Sequence, residues 1–233
     1  MTLDAFEQIV RRRRSVRHFR PDPIPDDLLA RLLDIAHWAP SGYNLQPTHF
    51  VIVRDAALRR ALQPACMGQS QISEAPALVV FTGDRRVVEN HFDRVITMER
   101  AAGAINDGYE RTLRRIVPLA FQHGPLGLGW LWKALLAPLV RPFVPIPSLP
   151  AAEKRFWLAK QVSLAAMTFM LAADAAGLNT VPMEGFDERR VRRMLGIPRS
   201  HVVIVIVPVG YSASGELKKT RLPVTSVAHV DRW

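Results

Sequence analysis

The sequence predicts one domain built from both helices and strands, and three observations predict it. The chain has 233 residues, of which 48% are hydrophobic and 22% charged, the balance of an ordinary globular protein. Apolar stripes at helical spacing recur along it. Between them lie three short apolar runs of strand length, His49–Arg54, Ala77–Thr82 and Val202–Val209. No repeat, low-complexity linker or clear boundary divides the chain, so 1–233 reads as a single domain.

Residues 2–13 form the first expected helix. Thr2 caps it, Asp4 and Glu7 suit its positive end, and Leu3, Phe6, Ile9 and Val10 make its stripe. It runs into Arg11-Arg12-Arg13-Arg14, cations that suit a helix C-terminus. Pro21, Pro23 and Pro25 force an extended link. Asp26 starts a second helix, which stops at Pro40, and the loop Ser41-Gly42-Tyr43-Asn44-Leu45-Gln46-Pro47 follows. The strand His49–Arg54 and a short helix over 55–64 come next. The unbroken apolar run Ala77–Thr82 suggests a strand buried on both faces, and 87–115 is read as mainly helical. A long helix over 151–176, apolar nearly all round, belongs at the centre, with Gly177 as its C-cap. A loop over 181–186 leads to a short helix begun by Asp187. Val202–Val209, with five Val and two Ile, is the strongest strand.

Residues 117–150 are the exception. They hold seven prolines, three glycines, Trp130, Trp132 and only two charges. Three readings stay open: buried packing, a lid or pocket wall of two short helices, or an interfacial membrane contact.

Charge and cysteine content narrow the classes. The net charge of +10 divides as +3 over 1–116 and +7 over 117–233, a surplus that favours anionic partners. Most aromatics sit in apolar runs rather than among the arginines, so a nucleic-acid partner is not expected. Cys66 is the single cysteine. It rules out an internal disulfide and suits a reducing, cytoplasmic setting. The start, Met1 to Glu7, lacks a signal-peptide pattern. No window is read as holding the roughly 20 apolar residues of a membrane span.

Several chemistries lack their motif. The seven histidines (18, 37, 49, 91, 123, 201, 229) show no paired ligand spacing, so no structural zinc or other metal site is expected. G-x-S-x-G, G-x-G-x-x-G and a phosphate-cradling P-loop are missing. What remains are four polar clusters at the ends of regular elements, where binding groups tend to sit: Arg13-Arg14-Ser15-Val16-Arg17, Ser41-x-x-Asn44-x-Gln46-Pro47, Pro182-Met183-Glu184-Gly185-Phe186, and Lys219-Thr220-Arg221. Singly, each also fits a solvated charge run, a turn or a cap.

Their order resembles the FMN-dependent nitroreductase family. The likeness is carried by R-R-S-V-R-H-F, A-P-S-G-Y-N-L-Q-P, W-L-A-K-Q-V-S-L, G-L-N-T-V-P-M-E-G-F-D and K-K-T-R-L-P, spread over nearly the whole chain. It is weakest over 84–150, where the family varies and acceptor choice is usually set. One departure is Thr48, where the family usually has Trp after Gln-Pro.

The resemblance implies an α+β fold, a three-layer α/β/α arrangement around a central, mostly antiparallel sheet. It implies an intertwined homodimer with extended termini and FMN at the interface. By match to the family, Arg13, Lys219 and Arg221 hold the FMN phosphate, with Ser15 as a neutral donor and Arg14 nearby. Arg17 stands beside the N1–C2 edge of the flavin. Ser41, Asn44 and Gln46 reach the pyrimidine side, contributed across the dimer. Pro182, Met183, Glu184 and Gly185 lie behind the ring, a backbone N–H of Glu184 or Gly185 pointing at N5. The family's chemistry takes hydride from NADH or NADPH at FMN and reduces an acceptor by a ping-pong course, with no catalytic side chain required. A hydrophobic aromatic acceptor, nitroaromatic or quinone, is expected. Alternatives kept open are breakdown of FMN to dimethylbenzimidazole, reductive dehalogenation, and a non-catalytic membrane-surface binding protein.

Overall fold

The computed structural model describes residues 2–121, 135, 139–140, 142–143, 154–215 and 218–233. Most of the 117–150 segment, including Trp130 and Trp132, lies outside the described residues, as do the three readings of it.

The described elements run α1 (Leu3–Arg12), α2 (Asp26–His37), β1 (Thr48–Val53), α3 (Ala56–Leu62), α4 (Gln71–Glu74), β2 (Ala77–Asp84), α5 (Val87–Ala101), α6 (Asp107–Phe121), α7 (Lys154–Ala175), β3 (Asn179–Thr180), α8 (Glu188–Met194) and β4 (His201–Gly210). The four strands form one antiparallel sheet in the order β1-β2-β4-β3. The fold is therefore α+β, as the sequence resemblance implies.

The caps are those the sequence names. Thr2 Oγ1 accepts the Ala5 N–H, and Asp187 accepts from Arg189 and Arg190. Gly177 takes φ +78° while Leu178 N–H reaches back to the Ala173 carbonyl, the left-handed C-cap that glycine permits.

The sheet has apolar layers on both faces, and β2 is buried at every position. On one face Val79 and Phe81 pack with Val205 and Val207 beneath α2 and α7, through Leu32, Val162 and Phe169. On the other, Leu78 and Val80 meet Leu62, Ile72 and Val191 from α3, α4 and α8. Truncating a fully buried side chain such as Phe169 removes both transfer energy and packing, about 3–5 kcal/mol. Gly83 lets α7 lie close, since a Cβ there would stand 3.0 Å from Leu158 Cδ2. Cys66 is buried among these side chains, and burial pushes its thiol up to about 11, which keeps it un-ionised and unreactive at neutral pH.

The stretch 87–115 is mainly helical, as expected, and consists of two helices, α5 and α6. Gly103 at φ +68° turns the chain, and Asn106 Oδ1 accepts the Tyr109 N–H to start α6. Before the expected 181–186 loop comes the two-residue strand β3, too short to leave a period in the sequence. One expectation needs correction: α7 is long and apolar enough to cross a membrane, with mean hydropathy 1.3 over an 18-residue window, against the reading that no window qualifies. In the fold it is the central core helix. Val162, Ala166, Phe169 and Ala173 are buried against the sheet, and the buried carboxylate of Asp174 pairs with Arg12 at 2.8 Å.

Candidate functional site: a basic edge and a strained loop

Three of the four sequence clusters meet at one side of the sheet. Beyond α1 the chain turns along β3. Ser15 bridges Thr180, and Val16 N–H donates to the Thr180 carbonyl at 3.2 Å. Val16 is buried beside Val181 and Met183, which sets Arg13–Arg17 alongside the Pro182–Gly185 segment. The C-terminal segment joins them. Lys219 Nζ donates to the carbonyls of Val10 (2.9 Å) and Arg13 (3.3 Å), and so closes the C-terminal end of α1.

The result is a crowd of cations. Arg13 has its Nε and Nη1 buried without a hydrogen-bond partner. Burial first, then the charge of Arg221, pulls the Arg13 pKa below its ordinary value, although Asp174 acts the other way. Lys219 is also lowered, by burial and then by Arg13 and Arg221. A buried guanidinium with unmet donors is costly, and an anion placed here would satisfy donors and relieve repulsion together. Arg14 instead folds back, its Nη1 donating to the Arg11 carbonyl at 2.6 Å. Arg14, Lys219 and Arg221 line an open cavity of about 750 Å³ with Leu3, Phe6 and Val10. Arg17 is exposed.

Pro182–Gly185 is held as a shelf over β4. Met183 is buried and exchanges both backbone hydrogen bonds with Ile206 (2.8 and 3.0 Å). Pro182, Glu184 and Gly185 face outward, and the Gly185 carbonyl accepts from Gln69 Nε2 at 3.2 Å.

The fourth cluster lies elsewhere. Gly42 N–H donates to Gln161 Oε1 near the start of α7 (2.7 Å), whereas Arg12 grips Asp174 at its end. Thirteen residues of helix separate the two anchors, about 20 Å of axis. Within one chain, then, Ser41, Asn44 and Gln46 do not share the cavity of Lys219 and Arg221. The loop is internally closed: Gln46 N–H donates to Ser41 Oγ (2.9 Å), Gln46 Nε2 to Asn44 Oδ1 (3.2 Å), and Asn44 Nδ2 to Glu99 Oε1 on α5 (2.9 Å). Its backbone is strained, with Tyr43, Asn44 and Gln46 at φ 55°, 51° and 53°, each left-handed residue costing about 1–2 kcal/mol. Leu45, fully buried against Phe92 and Trp157, pins it.

Comparison with known proteins adds the family. The profile described as the Nitroreductase family matches residues 10–211, most of the chain. The chain belongs to the nitroreductase family. A Thermus thermophilus protein named NADH dehydrogenase is 32% identical, covering 93% of this chain and 91% of that one. The oxygen-insensitive NAD(P)H nitroreductase of Enterobacter cloacae is 24% identical over 84% and 85%. An Exiguobacterium sibiricum protein solved in complex with FMN shares the fold, with a TM-score of 0.73, 21% identity and 96% of each chain covered.

Sequence reasoning missed several residues of this nitroreductase-family chain. Asp174 and Glu99 position the clusters but sit inside helices, where no turn or motif marks them; Gln161 lies within the W-L-A-K-Q-V-S-L stretch, but no role was read for it. It also missed a group of side chains from three strands. One potential ligand atom each from His49, Asp84 and His201 lie within 4.8 Å of one another. His49 and His201 are in edge-to-face contact at 4.7 Å between ring centres. Linear spacing cannot reveal this group, because strand pairing rather than helical repeat assembles it.

Proposed function

We propose that the chain is an FMN-dependent oxidoreductase that takes reducing equivalents from NAD(P)H and passes them to a hydrophobic aromatic acceptor, a nitroaromatic or a quinone. The observation that carries the reading is Arg13, whose buried guanidinium nitrogens lack partners beside Lys219 and Arg221. That donor set fits a phosphate: arginine offers a planar fork and lysine a point charge. When bound, FMN supplies hydride acceptance at its N5 position and onward electron transfer.

The chain's own part is to bind and orient. Arg13, Lys219 and Arg221 neutralise the phosphate, and Ser15 stands next to them as a hydroxyl donor. Arg17 places a fixed positive charge near the ring edge on which negative charge grows, which favours the reduced form. The outward shelf of Pro182, Glu184 and Gly185 backs the ring. No side chain is assigned as acid or base.

Ser41, Asn44 and Gln46 complete the site from the partner subunit of a homodimer. Two features support this: the length of α7 that separates them from Arg13, and the apolar surface the monomer leaves open. On α7, Phe156, Leu164 and Met167 are exposed, and Leu222, Val224, Val230 and Trp233 stand out along the C-terminal tail. Aromatic packing of Tyr43 on Phe121 and of Phe121 on Trp157 (6.3 and 4.8 Å between centres) borders the loop and suits an aromatic acceptor. The single buried thiol goes with a cytoplasmic setting.

The absorbance spectrum of the purified protein tests the reading. A yellow protein that bleaches on adding NADH or NADPH, and recolours on adding a quinone or nitroaromatic, is the expected result. A colourless protein that takes up no FMN would overturn it.

A further inference from the structure

The geometry points to a site for a divalent transition-metal ion of the zinc class, built from His49, Asp84 and His201 and separate from the flavin cluster. Sheet register assembles it. Asp84 and His201 are direct partners across β2 and β4, and His49 stands opposite Thr82, two residues from Asp84 on the same face. Three strands thus aim two imidazoles and one carboxylate at one point, a donor set that zinc accepts with a fourth position left for water.

The details favour coordination over a plain hydrogen-bonded cluster. His49 Nε2 is buried and has no hydrogen-bond partner, and in the tautomer protonated at Nδ1 its lone pair is free for a metal. Asp84 is buried and already oriented, one oxygen accepting the Arg86 N–H (2.8 Å) and the other Asn90 Nδ2 (2.6 Å). Outer contacts of that kind fix a ligating carboxylate, and each oxygen keeps further acceptor capacity. The ligand atoms lie within 4.8 Å of one another. Tetrahedral zinc with bonds of about 2.0–2.2 Å brings its ligand atoms to about 3.3–3.5 Å apart, so the rings need to draw in by about 1.5 Å at most. A cavity of about 500 Å³ lined by His37, Gln46, His91 and Arg94 reaches His49, one member of the group.

Occupancy would tie the ends of β1, β2 and β4 together next to the strained loop. His91, in contact with the His49 ring, holds the Leu45 carbonyl at 3.0 Å through Nδ1, so the metal would stiffen the segment that carries Asn44 and Gln46.

Zn²⁺ titration of the FMN-loaded, chelator-stripped protein tests this, with calorimetry as the readout and Co²⁺ as a visible reporter. One ion per chain is expected, with cobalt d–d bands to the red of the flavin absorption and a raised Tm. His49→Ala and, as a gentler change at a half-buried position, His201→Gln should each weaken binding about 100-fold while FMN content is retained. His18→Ala, which removes the surface histidine beside Glu74, should leave the titration unchanged. Sub-stoichiometric binding, binding that survives both His49→Ala and His201→Gln, or binding lost with His18→Ala would each overturn the site.

Discussion

The two ends of α7 solve opposite problems. At its C-terminal end the fold gathers charge it cannot satisfy: Arg13 is half-buried and unpartnered, and Lys219 and Arg221 crowd it. At its N-terminal end the Ser41–Gln46 loop satisfies its own polar groups through Asn44, Glu99 and Gln161, and the cost there is backbone strain. In the proposed function the first end takes the FMN phosphate, and the second presents its side chains to a partner subunit. A site divided this way stores its affinity in one place and its geometry in another.

The sharpest way to break that comparison is to neutralise Arg13. Arg13→Gln should weaken FMN binding about 10–100-fold, from the loss of one charge-assisted contact of about 1.5–3 kcal/mol, measured by fluorescence quenching. The FMN-free protein should lose little stability in urea, because the side chain removed was repelled there. Strong destabilisation without loss of affinity would make Arg13 a structural residue. Its neighbour gives the converse. Arg12→Ala leaves the buried Asp174 carboxylate without its 2.8 Å partner. It should cost the FMN-free protein about 1–3 kcal/mol, less than a fully buried pair because Arg12 is largely exposed.

At the other end, Asn44→Ala removes the bonds to Glu99 and Gln46 while keeping a left-handed backbone without a polar side chain. It should destabilise by about 1–2 kcal/mol in urea unfolding. Asn44→Gly, which relieves the strain but loses the same bonds, should cost less. Equal losses would mean that strain plays no part.

The smallest effect is a pH dependence. His49 has its pKa lowered by burial and by His201, with Asp84 opposing and with His91 and His37 adding to the lowering. Its folded pKa therefore lies below the ordinary 6.5. As pH falls through 6.5 the unfolded chain takes up a proton that the folded chain refuses, so metal-free stability declines in that window and is full above it. His49→Asn should flatten that part of the stability–pH curve.

Much of this was legible in the sequence, for local reasons. Helix ends were marked by Thr2, Asp187 and Gly177 because caps are short-range chemistry. The three long strands were marked by runs of β-branched residues, and β2's burial on both faces by the lack of polar alternation. The basic edge was legible as composition and, through family resemblance, as a cluster. The partners that shape it were not. Asp174 reads as one acid in a greasy helix, and only its position opposite Arg12 gives it a role. Glu99 and Gln161 are likewise ordinary helical positions until tertiary packing brings the 41–47 loop to them. The His49–Asp84–His201 group depends on strand order and on the register shift between Phe81 and Thr82, neither of which leaves a trace in residue spacing.

Cys66 has a practical consequence. It is the chain's single cysteine, sealed in the core with a thiol that does not ionise near neutral pH. A cysteine introduced on the surface, at Arg17 or along the tail, would therefore be the group a maleimide dye or spin label finds. Distances between the subunits of the proposed homodimer can be measured on a singly substituted protein, with no cysteine-free background to prepare first.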